Sequence, residues 1–226
     1  NAAELKIIEA DLEQPDVAKP TGVWREVLTD RNVWLLSVVA FANSYGFYFV
    51  ITWLPTYLET LGLAGSAVAL YAGLPMFFAV VADLTGGITT DFLARRLGLR
   101  LGRALVGGGA YLVAAVAMFF ATQSAGNPTM TALLLATAGG ASMFALASAW
   151  ASCIEISEAR SGMASATMNT VGQVGGILSP IVLAGLVERS GEAGRWSMPL
   201  QIIAALYLLA AVSWAFVKPP RVFRAV

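Results

Sequence analysis

The chain has 226 residues, of which 58% are hydrophobic and 12% are charged, and its 14 basic and 14 acidic side chains balance. Soluble domains carry about 25% charged residues, so this low charge and a mean hydropathy of +0.71 indicate an integral membrane protein. The sequence has no histidine, a single cysteine and no basic tract of the kind that binds nucleic acid. Histidine-ligated metals and an internal disulfide are therefore excluded, and no cofactor is predicted.

The first 31 residues are polar, with seven acidic and four basic side chains. We expect residues 1–31 to form a flexible cytoplasmic linker, because such a composition cannot bury a core. Near its end, Trp24 and Leu28 lie close to Arg25 and Arg31. This mixture of apolar and basic side chains predicts a short interfacial helix that leads into the membrane.

Six apolar stretches follow, each near the roughly 20 residues that a helix needs to cross a bilayer. The stretches are continuous rather than alternating, which favours helices over strands. The uncharged stretch 104–154 is too long for one helix and is divided by a polar turn before Pro128. We therefore predict an all-α integral membrane protein, a bundle of six transmembrane helices over residues 32–217 and a cytoplasmic tail at 218–226. The predicted helices cover about 33–57, 67–90, 104–122, 129–154, 162–187 and 198–217.

A glycine- and arginine-rich stretch, residues 86–103, separates the second and third apolar runs. We expect a tight loop there, in which glycine lets two helices approach closely and Asp91 interacts with a neighbouring helix end. The arginines would stay on the cytoplasmic side. The residues of this motif are Gly87, Asp91, Arg95 and Arg96.

Asp83 is the one acidic residue deep in a predicted span. An acid at mid-bilayer costs about 2.5–3.5 kcal/mol on insertion scales, so it needs a partner or a role. It could couple transport to protons, or it could bond to a neighbouring helix through Thr85 or Thr89 and help to gate the protein. We favour gating, because Asp83 lies only about 12 Å along the helix from Asp91 and hence near the cytoplasmic surface.

The basic residues are distributed unevenly between the two sides of the predicted bundle. Twelve of the fourteen lie in the leader, in the loops after the second and fourth helices, and in the tail, whereas Arg189 and Arg195 lie on the other side. The positive-inside rule then places both termini in the cytoplasm, and we expect a bacterial inner-membrane location. Glu155 is expected to be solvated or paired with Arg160.

Several polar side chains interrupt the apolar helices. Asn169 and Gln173 share one face of the fifth helix, where they could bond to a neighbouring helix or line a wet cavity. Tyr45 and Tyr48 lie in the middle of the first helix, where a phenol needs a partner, and packing and cavity-lining roles are equally open. Trp150 stands in an alanine-rich stretch of the fourth helix and could be a packing residue or a stacking surface.

The pattern of these segments resembles the anion–cation symporter family of the major facilitator superfamily. Residues 86–103 are similar to the loop between helices 8 and 9, although Phe92 replaces a usual basic residue and Ala94 a usual glycine. The first helix, with Asn43, Tyr45 and Tyr48 followed by residues 53–58, resembles the seventh helix of that family. Residues 155–186 resemble the junction of helices 10 and 11 and the eleventh helix.

The resemblance covers about residues 24–219 and is to the carboxy-terminal half of the family only. It implies that a missing amino-terminal half of six helices completes the protein and that the substrate binds between the two halves. It further implies proton-coupled symport of a small organic anion, such as a sugar acid, an aromatic acid or a dicarboxylate, by alternating access. The cation that holds the anion would come from the missing half, since no lysine or arginine lies deep in these spans.

The resemblance also assigns roles to particular residues. The family places an asparagine of its eleventh helix in the substrate site, which corresponds to Asn169, and an aromatic residue of its tenth helix there, which corresponds to Trp150. The candidate substrate-binding residues are Asn169, Tyr48, Tyr45, Trp150, Gln173 and Asn43. The candidate gating residues are Gly87, Asp91, Arg95, Arg96 and Asp83.

A second hypothesis is a six-span protein that works alone or as a homodimer in a scaffold or assembly role, without transport. An intramembrane enzyme is disfavoured, because the spans contain no paired aspartates, serine–lysine dyad or metal-binding motif.

Overall fold

A computed structural model of the chain describes residues 23–157, 160–189 and 195–218. Most of the predicted linker and the tail beyond Lys218 lie outside the described residues. The described part contains eight helices. These are α1 Val23–Thr29, α2 Arg31–Thr52, α3 Leu54–Thr60, α4 Ser66–Leu97, α5 Leu99–Gln123, α6 Pro128–Ser157, α7 Ser161–Arg189 and α8 Ser197–Phe216.

Six of these helices, α2 and α4 to α8, are long and apolar enough to cross a membrane. The prediction of an all-α membrane protein with six spanning helices is therefore confirmed. The helices pack as one bundle, in which α2 lies against α7 and α8, α4 lies against α6, and α5 lies against α6 and α8. We call the end of the bundle at the α4–α5 turn the basic end, and the end at the α5–α6 turn the opposite end.

Small residues set the distance between α2 and α7. A Cβ atom at Gly175 would lie 2.5 Å from the carbonyl oxygen of Phe41, and one at Gly176 would lie 2.6 Å from the ring of Tyr48. Ser179 adds a hydrogen bond to the carbonyl oxygen of Tyr45 at 2.7 Å. Helices in a bilayer associate through such close packing and interhelical hydrogen bonds, because lipid provides no hydrophobic drive between them.

The first spanning helix is shorter than the sequence predicts. α2 ends at Thr52, and after Trp53 the chain continues in the short helix α3 instead of one helix to residue 57. Pro55 is the physical reason, because its ring would collide with the preceding turn of a continuous helix and its nitrogen carries no hydrogen to donate. In the first turn of α3 the missing donor costs nothing.

The second spanning helix is longer than predicted, and the expected loop at 86–103 is almost entirely helical. α4 continues to Leu97, α5 begins at Leu99, and only Gly98 separates them. Gly98 has φ +83° and ψ 158°, a conformation that only glycine adopts easily. The predicted motif from Gly87 to Arg96 is therefore part of the last turns of α4, and the sharp turn is made by one residue.

A short helix, α1, forms where the sequence predicts one. It contacts the start of α7, and Glu26 of α1 forms an ion pair with Arg160. Val27 is buried, whereas Trp24 and Leu28 are exposed. The helix therefore presents an apolar edge at the basic end, and its contact with the membrane surface stays a prediction.

Candidate functional site

Arg103 and Glu155 form an ion pair between α5 and α6 at the basic end. The side chain of Arg103 is 6% exposed and that of Glu155 is 36% exposed. The sequence predicts that Arg103 is only a loop charge and that Glu155 is solvated or binds Arg160. Both expectations are wrong, because Arg160 binds Glu26 and the helical conformation after Gly98 turns Arg103 towards α6.

The same region is a tight junction of three helices. A Cβ atom at Gly86 of α4 would lie 2.3 Å from the carbonyl oxygen of Phe144 of α6, and one at Gly102 of α5 would lie 2.5 Å from a backbone nitrogen of α4. Thr90 and Ser148 share a buried hydrogen bond of 2.8 Å between α4 and α6. These contacts fix α4, α5 and α6 to one another around the Arg103–Glu155 pair.

The predicted gating residues occupy the outer surface of this junction. Asp91, Arg95 and Arg96 are exposed on the last two turns of α4. The guanidinium of Arg96 lies 5.3 Å from the centre of the Phe92 ring, so the aromatic residue that departs from the family pattern contacts a cation. A Cβ atom at Gly87 would have 3.9 Å to its nearest neighbour, so close helix approach depends on Gly86 rather than Gly87.

Asn169 and Gln173 are exposed on α7. Asn169 and Gln173 are four residues apart and share one helix face. Gly172 and Gly176 lie on the adjoining face, which packs on α2. Both amides therefore lie beside the α2–α7 contact and outside it. An exposed amide on a spanning helix is costly in lipid, so this face belongs against protein or water.

Trp150 lies at the same level of the bundle as Asn169. Ser165 of α7 donates a hydrogen bond to the sulfur of Cys153 of α6 at 3.9 Å, which fixes the register of these two antiparallel helices. One turn further towards the opposite end, α7 carries Asn169 and α6 carries Trp150. The indole is partly exposed and packs against the core on one side.

Tyr48 completes this group from α2. Its ring lies against Gly176, which is one turn beyond Gln173, and the side chain is partly exposed. We call the surface formed by Tyr48, Trp150, Asn169 and Gln173 the polar face. Four of the six predicted substrate-binding residues are thus exposed or partly exposed, on three helices that contact one another.

The other two predicted residues point into the bundle. Asn43 is buried and accepts a hydrogen bond of 3.2 Å from the hydroxyl of Tyr111 on α5. Tyr45 is 3% exposed, its ring stacks on Phe41, and its hydroxyl has no hydrogen-bond partner among the described residues. We therefore leave both residues out of the polar face.

Asp83 lies near the middle of α4, about 12 Å along the helix from Asp91. Because α4 continues to Leu97, Asp83 is about 21 Å from the basic end of the helix and close to its middle. The expected bonds to Thr85 and Thr89 are absent among the described residues, since both hydroxyls donate to backbone carbonyl oxygens of α4 at 2.7 Å. The carboxylate is exposed on this isolated bundle.

A small cavity where α2, α4 and α6 meet helps to locate Asp83 along α4. Phe47, Met76 and Met143 line that cavity. Asp83 follows Met76 by seven residues and Trp150 follows Met143 by seven, which is close to two helical turns in each case. Asp83 and Trp150 therefore lie about two helical turns from this cavity towards the basic end, on α4 and α6 respectively.

The comparisons with known proteins point to one family. A model of the Major Facilitator Superfamily matches residues 4–180. The protein named "Probable sulfoacetate transporter SauU" of Cupriavidus necator is 33% identical over 211 residues, which cover 89% of this chain and 46% of that protein.

Two plant proteins are also similar. "Ascorbate transporter, chloroplastic" of Arabidopsis thaliana is 25% identical over 84% of this chain and 35% of its own length. "Sodium-dependent phosphate transport protein 1, chloroplastic" of the same plant is 27% identical over 84% of this chain and 37% of its own length. The chain spans less than half the length of each of these three relatives.

Proposed function

The chain belongs to the Major Facilitator Superfamily, a family of transporters and not of enzymes, and from this premise we propose that it forms one half of a secondary transporter for small organic anions. The observation that carries the proposal is the polar face. Four hydrogen-bonding or aromatic side chains are exposed or partly exposed on α2, α6 and α7, three helices that contact one another. In a membrane, such a face is stable only against water, substrate or another protein.

We infer that a second six-helix bundle covers this face. α4, which carries Asp83, is the least buried of the six spanning helices. The relatives are more than twice as long as the matched region. Substrate would bind between the bundles near mid-membrane, and rocking of one bundle against the other would expose the site to each side in turn.

Anions are the substrate class that the relatives support, and two of the three named anions are organic. Their names specify sulfoacetate, ascorbate and phosphate, all of which carry negative charge. The polar face offers amide donors from Asn169 and Gln173, a phenol from Tyr48 and an indole from Trp150. These neutral groups can orient an anion, and the second bundle would supply the cation that balances its charge.

We further propose that the transport is coupled to protons and that Asp83 takes part in the coupling. A carboxylate in the middle of a spanning helix is expensive unless it has a partner or becomes protonated. Asp83 lies on the side of α4 that the second bundle would cover. A proton taken up from one side of the membrane and released on the other would then accompany the anion.

The test is uptake into proteoliposomes that contain this chain together with the other bundle. Sulfoacetate, ascorbate, phosphate and a sugar acid would be offered with an inward proton gradient, an inward sodium gradient or neither. We expect an organic anion to accumulate when the proton gradient is imposed. Accumulation driven by sodium alone would contradict proton coupling, and the absence of uptake for every anion would contradict the proposed function.

A further inference from the structure

A polar pocket of about 430 Å³ lies at the opposite end of the bundle, away from the polar face. It is formed where α3, the end of α5 and the start of α8 meet. Its volume falls in the range of small-molecule sites, which is about 300–1,000 Å³. The described residues that line it are Tyr57, Thr60, Leu61, Thr122, Ala125, Arg195, Trp196, Ser197 and Leu200.

The charge of this pocket favours anions. Arg195 contributes a guanidinium, and none of the described lining residues is acidic. The pocket also adjoins the first turn of the 20-residue helix α8, whose N-cap residue, Trp196, makes no side-chain capping bond. Backbone N–H groups at a helix start attract negative charge.

The donors that remain for a ligand can be counted from the hydrogen bonds. The hydroxyls of Thr60 and Thr122 already donate to backbone carbonyl oxygens at 2.6 Å each. Ser197 accepts a bond from Gln201 at 3.2 Å, which leaves its own hydrogen to donate. Tyr57 keeps its phenolic hydrogen at neutral pH, because burial raises its pKa to about 12.

Among the residues that line the pocket, Trp196 is unusual because its polar N–H group is buried without a partner in the described part of the chain. It is 7% exposed, and its indole N–H has no hydrogen-bond partner among the described residues. Its ring is held by Tyr57 at 5.0 Å and by Trp53 at 5.9 Å between centres. The indole nitrogen is fully shielded from solvent, so a ligand reaches it only when the ring shifts. A buried donor without a partner costs free energy, which such a contact would recover.

We propose that this pocket is a second anion site, which binds a small carboxylate or sulfonate through Arg195, Trp196, Tyr57 and Ser197. It is separate from the polar face and lies at the end of the bundle from which the positive-inside rule predicts that external anions approach. The choice of organic anions rests on the proposed function, whereas the preference for negative charge rests on the pocket itself.

The experiment is a tryptophan-fluorescence titration of the complete protein in a non-ionic detergent, with acetate and methanesulfonate at constant ionic strength. We expect saturable binding that weakens about tenfold in Arg195→Gln, because a charge-assisted hydrogen bond is lost. Arg195→Lys should recover most of the affinity. Trp196→Phe, which keeps the ring and removes the N–H, should weaken binding by a smaller factor, and its folding would be checked by gel filtration.

The matched control is Arg189→Gln, because Arg189 lies at the same end but does not line the pocket. Equal loss of affinity in Arg189→Gln and Arg195→Gln would overturn the proposal, since it would indicate only a general surface charge. Unchanged binding in Arg195→Gln would also overturn it. Binding that depends on Arg195 in a protein that transports none of the tested anions would leave this site standing and reject the proposed function.

Discussion

The four residues of the polar face owe their common orientation to their neighbours. On α7, Gly172 and Gly176 pack against α2. The adjoining positions, Asn169 and Gln173, therefore lie outside that contact. Asn169 lies at the same level of the bundle as Trp150, because the Ser165–Cys153 hydrogen bond sets the register of α6 and α7. The face is therefore a consequence of packing, and each residue in it can be tested singly.

We expect Asn169→Ala to raise the KM for the transported anion about tenfold, because a neutral donor to a charged ligand contributes about 1.5 kcal/mol. Thr170→Ala is the matched control, since Thr170 is exposed on the same helix but one position around it. The measurement is the concentration dependence of uptake into proteoliposomes. An unchanged KM in Asn169→Ala would remove this residue from the site.

Asp83→Asn should abolish the acceleration of uptake by a proton gradient, because the amide cannot take up a proton at physiological pH. Exchange of labelled for unlabelled anion at equal pH on both sides should continue, since it needs no net proton movement. Glu188→Gln, which changes an exposed carboxylate at the end of α7, is the control. Gradient-driven uptake that persists in Asp83→Asn would refute the coupling role.

Spacing along one helix is enough to group residues that share a face. Asn169 and Gln173 could be grouped from their spacing alone, as could the position of Tyr48 on α2. Asn43 could not be placed, because its partner, Tyr111, is 68 residues away. Arg103 and Glu155 were missed for the same reason, since they are 52 residues apart and each has an ordinary local context.

At the scale of elements, α4 has the largest consequences for function. It carries Asp83, the exposed arginines and the glycine that allows close approach to α6. The sequence predicts its start closely and its end seven residues too early, because arginines and glycines are typical of a loop. Basic side chains in the last turn of a helix are in fact favourable, since they balance the partial negative charge there.

We expect Gly86→Ala to destabilise the protein by about 1–3 kcal/mol, because a methyl group would overlap the carbonyl oxygen of Phe144 and push α4 from α6. Gly87→Ala, one residue away on the same helix, has room for the methyl group and should have little effect. Thermal unfolding in detergent measures both. A similar loss in both variants would indicate a shared distortion rather than the close approach of Gly86, since alanine by itself favours a helix more than glycine does.

At the scale of the whole molecule, the distribution of charge predicts how the bundle sits in the membrane. The arginines of the α4–α5 turn, together with Arg103 and Arg160, mark the basic end, whereas Arg189 and Arg195 mark the other end. The positive-inside rule places the basic end in the cytoplasm.

This orientation can be tested with cysteine substitutions, because the natural Cys153 is buried and should not react. In intact cells, a membrane-impermeant maleimide should label Ala64→Cys at the opposite end but not Leu97→Cys at the basic end. Both positions are exposed in the bundle. After the cells are opened, both variants should react. Labelling of Leu97→Cys in intact cells would reverse the orientation.

The sequence by itself determined that the chain crosses a membrane six times as helices, since membrane insertion depends on the summed transfer free energy of consecutive residues. It also proposed the residues of the polar face, whose role in binding stays a prediction. Only the tertiary structure decided that the α4–α5 loop shrinks to Gly98, that Arg103 binds Glu155, and that an anion-favouring pocket forms around Arg195 and Trp196. These features depend on which helices become neighbours and at what register, and pairs of residues far apart in the chain carry no local signal of that choice.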